Sequence, residues 1–324
     1  MFHHDKLNDF KKSLEINPNN AELLRMRGIT YIQLKKYNEA LTDFNKSLEI
    51  QPNNVHVLRL QGKTYQKLEK YNKALKDFNK LLELEPNNRY LHEEIIEKYS
   101  KILEIEPNNA LAVEFRGVAY KQLKNYYEVL TDFNKYLEIQ PNNVFVLRLR
   151  GETYQKLEKY DKALTDFNNF LIKIPYNTLA LRLRGEIYLK SEKYNEALTD
   201  FDKLLELEPD NTLVLRLRGE IYLKSEKYNE ALTDFDKVLE LKLYDDLVKR
   251  LRGETYLQLK NYNKALIDFN DLLEFEPNNT LALRLRGETY QKLEKYNEAL
   301  TDFNNLLKKD PKNTLALRSR GETL

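Results

Sequence analysis

The sequence predicts an all-α protein built as a stack of antiparallel helix pairs, and three observations predict it. The nine glycines stand at 28, 62, 117, 151, 185, 219, 253, 287 and 321, so that every interval is 34 residues except one of 55. The nine prolines, at 18, 52, 86, 107, 141, 175, 209, 277 and 311, keep the same beat in near-identical contexts rich in asparagine. Between these breakers the apolar residues recur every three or four positions, the spacing of one helix face.

The period runs from Ala21 to Asn54 and begins again at 55, 110, 144, 178, 212, 246 and 280, giving eight full copies. In the copy from Thr280 to Asn313, Leu283, Leu285, Tyr290 and Leu293 share one helix face, and Ala299, Leu300, Phe303, Leu306 and Leu307 share another. Each copy therefore reads as two short helices. Asn279 and Asn297 are the expected N-caps, since a short side-chain acceptor satisfies an orphan amide there. Pro311 closes the pair because proline cannot continue a helix. A glycine inside a helix costs about 1 kcal/mol relative to alanine, so its repetition implies close helix approach. The small residue of the second helix (Ala40, Ala74, Ala163, Ala197, Ala231, Ala265, Ala299) is expected to face it, with Tyr31, Phe44 and their equivalents around the contact. Helices this short are marginal alone, so stability must come from stacked neighbours.

Two places break the rhythm. Between Asn88 and Ala110 stand 21 residues in place of 34. Leu91, Ile95, Tyr99, Ile102 and Ile105 lie on one face, with no glycine or proline before Pro107. This predicts a single helix near 89–106, about 25 Å long at 1.5 Å per residue. One helix in place of two is expected to interrupt or kink the array, dividing the chain into segments 1–109 and 110–324. Tyr127 at a cap site and Val129 at an alanine site predict looser packing around Gly117. At the ends, Asp5 to Ile16 reads as the second half of a repeat and Thr314 to Leu324 as the first half of another. Neither is a polar cap of the kind that closes an array. A longer parent protein, an incomplete gene model and end-to-end self-association would each account for this.

Composition narrows the function classes. Lys plus Arg (53) nearly balances Asp plus Glu (51), with the signs interspersed as on solvated helix faces, so no basic field points to nucleic acid. There is no cysteine for disulfide or thiolate chemistry. The start does not read as a signal peptide, and no apolar run approaches the roughly 20 residues needed to span a bilayer. A cytoplasmic or nuclear protein without membrane contact is expected. The four histidines, His3, His4, His56 and His92, are scattered without a metal-ligand spacing. Each glycine is solitary, so no phosphate-cradling loop is formed. No enzyme, cofactor or metal site is expected.

Gly at the eighth place of the period, Tyr at the eleventh, Ala at the twentieth, Phe at the twenty-fourth and Pro at the thirty-second resemble the tetratricopeptide repeat over essentially the whole chain. The resemblance implies an α-α superhelix, or TPR solenoid, that binds partner proteins. Two features depart from the family pattern. Leu24, Leu58, Val113 and, once, Lys249 replace its tryptophan, and arginine replaces the leucine before glycine. Arg27, Arg116, Arg150, Arg184, Arg218, Arg252 and Arg286 need a partner. Asp43, Asp132, Asp166, Asp200, Asp234, Asp268 and Asp302 recur just before the second-helix Phe, so ion pairs are expected between the two rows.

The resemblance places a concave groove on the first helices, able to hold a peptide or helix of a partner. In the later repeats it would present Arg148, Arg182, Arg216, Arg250 and Arg284, with Glu152, Glu186, Glu220, Glu254 and Glu288 one turn on, flanked by Leu179, Leu213, Lys190 and Lys224. An arginine and a glutamate four apart also stabilise their own helix, so this row can neutralise itself. In the earlier repeats Arg59, Lys63 and Lys67 form a stripe free of acids. With Arg25, Ile29 and Ile32 alongside, the stripe is the candidate for an acidic or amphipathic peptide; a solvated basic face is its plain alternative. The Lys and Asn set with which one branch of the family grips a terminal carboxylate is missing. The leading expectation is thus a non-catalytic scaffold or adaptor. The alternatives are a self-assembling array joined through its ends, with a monomer as the contrary case, and a regulatory fragment of a larger signalling protein.

Overall fold

The computed structural model describes residues 2–242 and 244–324, and among them it forms nineteen α-helices and no strand. The chain divides into two compact units, Met1–Phe170 and Leu171–Leu324. The first contains α1 (Phe2–Ile16), α2 (Ala21–Gln33), α3 (Tyr37–Ile50), α4 (Val55–Lys67), α5 (Tyr71–Leu84), α6 (Arg89–Ile105), α7 (Ala110–Gln122), α8 (Tyr126–Ile139) and α9 (Val144–Lys156); the division falls inside α10 (Tyr160–Lys173). The second contains α11 (Thr178–Lys190), α12 (Tyr194–Leu207), α13 (Thr212–Lys224), α14 (Tyr228–Leu241), α15 (Asp246–Gln258), α16 (Tyr262–Phe275), α17 (Thr280–Lys292), α18 (Tyr296–Lys309) and α19 (Thr314–Thr323). The break expected at 109/110 lies inside the first unit.

The local signals act as short-range chemistry requires. Asn279 takes an extended backbone and its side chain accepts from the Ala282 amide at 3.0 Å. Asn20, Asn54, Asn88, Asn109 and Asn143 cap α2, α4, α6, α7 and α9 in the same way. Asn297 does not cap. The second helix α18 starts at Tyr296, two residues earlier than that reading requires, and its cap residue Lys295 makes no side-chain capping bond.

The reason lies in the turn before it. Lys35, Glu69, Lys124, Glu158, Glu192, Glu226, Lys260 and Glu294 all have φ between 55° and 60°. At the first of these turns the Lys35 amide donates to the Ile32 carbonyl at 2.9 Å and the Lys36 amide to Tyr31 at 2.8 Å, which is the double closure of a Schellman turn. Only three residues, 34–36, separate α2 from α3, so the first helix's closure also starts the second.

Glycine and phenylalanine form the interlock of each pair. A β-carbon built on Gly28 would stand 2.5 Å from Phe44 Cε1, and one on Gly219 would stand 2.6 Å from Phe235 Cε1. The ring, rather than the alanine expected from the sequence, lies nearest the glycine. The alanine is fully buried beside it, as is the ring itself. Gly321 has no atom within 4 Å of the same position, because α19 is not followed by a second helix.

The short stretch is the single helix α6, and it has a double role. Toward α5 it behaves as a first helix: the Tyr99 hydroxyl donates to Asn79 Oδ1 at 2.6 Å, twenty residues back, the offset at which Tyr154 reaches Asn134. Toward α7 it behaves as a second helix: Ser100 Oγ accepts from Arg116 Nη1 at 3.1 Å, the offset at which Arg150 reaches Asn134. Tyr99 is fully buried and stacks on Phe115 at 6.5 Å. One hydrophobic cluster therefore runs from Leu58 through Leu91, Ile95 and Tyr99 to Leu149. The expected loosening around Gly117 is absent. Its β-carbon position is 2.6 Å from Phe133 Cε1, and Val129 and Phe133 are fully buried. Valine is accommodated at the alanine site within the same buried cluster as Ala112, Val113 and Phe133.

Two glycines of the second unit test the interlock. Gly219→Ala is expected to destabilise the protein by about 1–3 kcal/mol through overpacking against Phe235. Gly321→Ala is expected to be neutral or to stabilise α19 by up to about 1 kcal/mol. Urea unfolding of both variants checks this, and equal effects would contradict it.

Candidate partner-binding surface

The surface begins with the arginine before each glycine, because that side chain sets how successive helices meet. In the first unit Arg27, Arg116 and Arg150 fork Asp43, Asp132 and Asp166 through Nε and Nη2 at 2.7 to 2.9 Å. In the second, Arg184, Arg218, Arg252 and Arg286 fork Asp200, Asp234, Asp268 and Asp302 at 2.5 to 3.0 Å. The predicted pairing is thus made, within each repeat. The third nitrogen reaches the preceding second helix: Arg218 Nη1 donates to Asp202 at 2.7 Å and Arg252 Nη1 to Asp236 at 2.7 Å. Tyr222 lies 5.8 Å from the Arg218 guanidinium and adds a cation-π contact. Burial pushes the Asp132, Asp166, Asp234 and Asp268 carboxyls up, and the arginine forks offset part of that rise.

Asp77 is the exception. Gln61 stands where the arginine should be, and both side chains are buried. Turned toward the carboxylate, the Gln61 amide nitrogen lies 3.2 Å from each Asp77 oxygen, and the other amide atom lies 2.7 Å from the Asn45 side chain. That orientation is the one that gives the carboxylate a donor. A neutral amide offsets burial less than a guanidinium does, and desolvation pushes Asp77 up to about 7.

The residues singled out as groove candidates fall into two sets. Arg148, Arg182, Arg216, Arg250 and Arg284 each pair with the glutamate one turn on, Glu152, Glu186, Glu220, Glu254 and Glu288, and all ten side chains are half-buried. The row therefore neutralises itself within each helix. Lys121 Nζ adds a bond between helices, reaching Glu152 at 2.6 Å. In the second unit the structure brings Glu254, Arg284 and Glu288 together. With Lys224, Tyr228 and Leu257 they line an open cavity of about 580 Å³ between α13, α15 and α17. Leu179 and Leu213 are exposed at the starts of α11 and α13.

In the first unit the basic stripe is not free of acids. Glu94 of α6 lies 2.8 Å from Lys63 Nζ and 3.4 Å from Arg59 Nε, and Arg25 is paired with Glu22 at 2.5 Å. Lys67 stays exposed and Ile29 is half-buried. Glu94 escaped the sequence reading because its helix has no counterpart in the repeat, so no periodic position assigned it a neighbour. The gap at Gln61 was readable as the one missing member of the arginine row. Tyr228 and Leu257 were not, since only the packing of α13, α14, α15 and α17 brings them to one cavity.

Among the described residues, no group of His, Asp and Glu side chains could hold a metal ion, and no helix is long and apolar enough to cross a membrane.

Such repeated helix pairs, locked by glycine against phenylalanine and presenting the first-helix side chains, define a helical-repeat interaction protein. Family models described as tetratricopeptide repeat match residues 21–54, 57–88, 114–143, 178–211, 216–280 and 280–313. The chain belongs to the tetratricopeptide repeat family. No curated protein matches it in sequence. Among solved structures it resembles YrrB, titled a TPR protein with an unusual peptide-binding site, at 22% identity and TM-score 0.53, over 58% of this chain and 97% of that one. A MamA protein matches at 18% and 0.50 over 52% and 92%. The MamA fragment from residue 41 to its end, from Desulfovibrio magneticus RS-1, matches at 19% and 0.50 over 52% and 96%. These likenesses show the fold.

The protonation of Asp77 gives a pH test. The folded carboxyl holds its proton to about 7, whereas its ordinary value is 3.8, so between those values the folded state binds the extra proton. The stability this contributes is full below the ordinary value and is lost as pH rises through about 7. Asp77→Asn is therefore expected to unfold with a shallower dependence on pH from 5 to 8 than the parent. Thermal melts across that range check it, and parallel curves would contradict it.

Proposed function

We propose that the chain is a non-catalytic scaffold whose first-helix faces hold a peptide or helix of a partner protein. The observation that carries this reading is the cavity of about 580 Å³ in the second unit, where Arg284, Glu254 and Glu288 stand beside Leu257 and Tyr228. Its mixture of both charges with apolar surface suits an amphipathic segment, with side-chain pairs available to exchange partners. The described peptide-binding site of YrrB is consistent with this use of the fold. In the first unit, Lys67 and the Lys63–Glu94 pair, with Arg25, Arg59 and Ile29, form a second candidate face for an acidic segment.

Capture from a native lysate with Leu257→Asp/Arg284→Glu, and separately with Lys63→Glu/Lys67→Glu, tests the two faces. Each double variant is expected to lose a distinct set of the parent's partners while keeping its helical circular dichroism. Unchanged partner sets in both would defeat the reading.

End-to-end self-association is a second reading, favoured by one specific complementarity. On α1, Asp9 is exposed and Phe10 half-buried, whereas the equivalent Asp43 and Phe44 are buried. On α19, Gly321 is open, and Arg320 uses Nη1 on Asn304 at 3.2 Å. Arg320 and Gly321 of one copy are the partners that Asp9 and Phe10 of another copy would need. Further repeats of a longer chain would complete the same faces. Light scattering across a concentration range is expected to show assembly that Asp9→Arg or Arg320→Asp weakens and the double exchange restores. A monomer at every concentration would dispose of it.

A further inference from the structure

Seven second-helix aspartates are each forked by an arginine of their own repeat, and the eighth, Asp77, is not. Among the described residues no arginine or lysine forms an ion pair with it; Gln61 offers only a neutral amide at 3.2 Å. Asp77 is 9% exposed, and it lines a cleft of about 450 Å³ whose other walls include Leu48, Pro52, Leu58 and Phe115.

We propose that this cleft is a binding site for the arginine side chain of a partner protein, with its guanidinium forking Asp77 as the chain's own arginines fork Asp43, Asp132 and Asp166. The ligand chemistry is read from the molecule itself. At the seven other positions the site selects a planar cation with two parallel donors, a match of geometry as well as charge. Gln61 is shorter than arginine and uncharged, and the open space that Asp77 borders is the cleft itself. The aliphatic walls suit the methylene stem of an incoming arginine, and the aromatic ring of Phe115 is a further surface for a weakly hydrated cation. Lys76, Lys80 and Glu83 also border the cleft; the two lysines lie close enough to favour the Asp77 carboxylate but form no ion pair with it, and burial outweighs them. Burial pushes the Asp77 carboxyl up to about 7, with no guanidinium fork to offset it. The site is formed by α3, α4, α5 and α7 and is separate from the two faces proposed above, so it stands or falls independently of them.

The test uses the full chain with ¹³C-carboxyl-labelled aspartate and, as probes, N-acetyl-arginine amide and its neutral isostere N-acetyl-citrulline amide. The arginine probe is expected to shift the Asp77 carboxyl resonance saturably and to lower its titration midpoint. The citrulline probe is expected to bind at least about tenfold more weakly, as loss of a charge-assisted pair implies. Gln61→Arg, which restores the residue used in seven other repeats and so preserves the fold, is expected to abolish the response and to lower the midpoint by itself. Equal responses to the two probes, no saturable response, or a response that persists in Gln61→Arg would overturn the proposal. An equal response to N-acetyl-lysine amide, with its free side-chain ammonium, would make the cleft a general cation site and overturn the assignment to arginine.

Discussion

In every full repeat but the one from Val55 to Asn88 an arginine ties its two helices together, in most of them reaching a third helix as well, and the register of the stack depends on that tie. The side chain leaves the first helix beside glycine, forks a buried aspartate on the second helix and, through its remaining nitrogen, reaches the second helix of the preceding repeat, as Arg218 and Arg252 show. Hydrophobic burial alone would allow the helices to slide along one another. The guanidinium fork is directional and is stabilising only when both partners are in register. Taking these charges out of water costs several kcal/mol, and removing one partner would leave the other stranded. Glycine is part of the same device, since a β-carbon there would force the phenylalanine ring away and with it the aspartate next in sequence.

The tie also accounts for the tolerance of the stack to a shortened repeat. Helix α6 supplies Tyr99 to the helix before it and Ser100 to the helix after it, so each neighbour meets the contact it would meet elsewhere. A repeat array needs only nearest-neighbour interfaces to be satisfied. Satisfying two with one helix preserves the core from Leu58 to Leu149. The same shortening brings Glu94 over Arg59 and Lys63, and so changes the charge of a face that the repeat pattern would leave basic.

Charge on the first-helix faces is largely satisfied inside the molecule. On the proposed reading a partner segment would exchange pairs rather than find bare ions, which favours specificity over raw affinity. The apolar residues among those pairs, Leu257 and Tyr228 in the second unit, would supply most of the attraction. Where a pair is incomplete, at Asp77, the molecule departs from its own rule, and its chemistry is most open to an outside group.

The sequence by itself determined the period, the two helices of each repeat, the asparagine caps of the first helices, the Arg–Asp pairing and the single helix at 89–106. These follow from local propensity and from periodicity, which are properties of neighbours along the chain. Tertiary structure decided what lies against what. Phenylalanine rather than alanine lies nearest glycine, because its ring, one turn further along the same facing helix, is long enough to reach over the glycine. The second helix begins at Tyr296 rather than after Asn297, because the turn residue Glu294 takes a positive φ that closes the first helix. Val129 is fully buried in the cluster that also holds Tyr99 of α6, and Glu94 meets Lys63, because the fold brings separate helices side by side. Such contacts depend on distances between helices, which no spacing along one helix encodes.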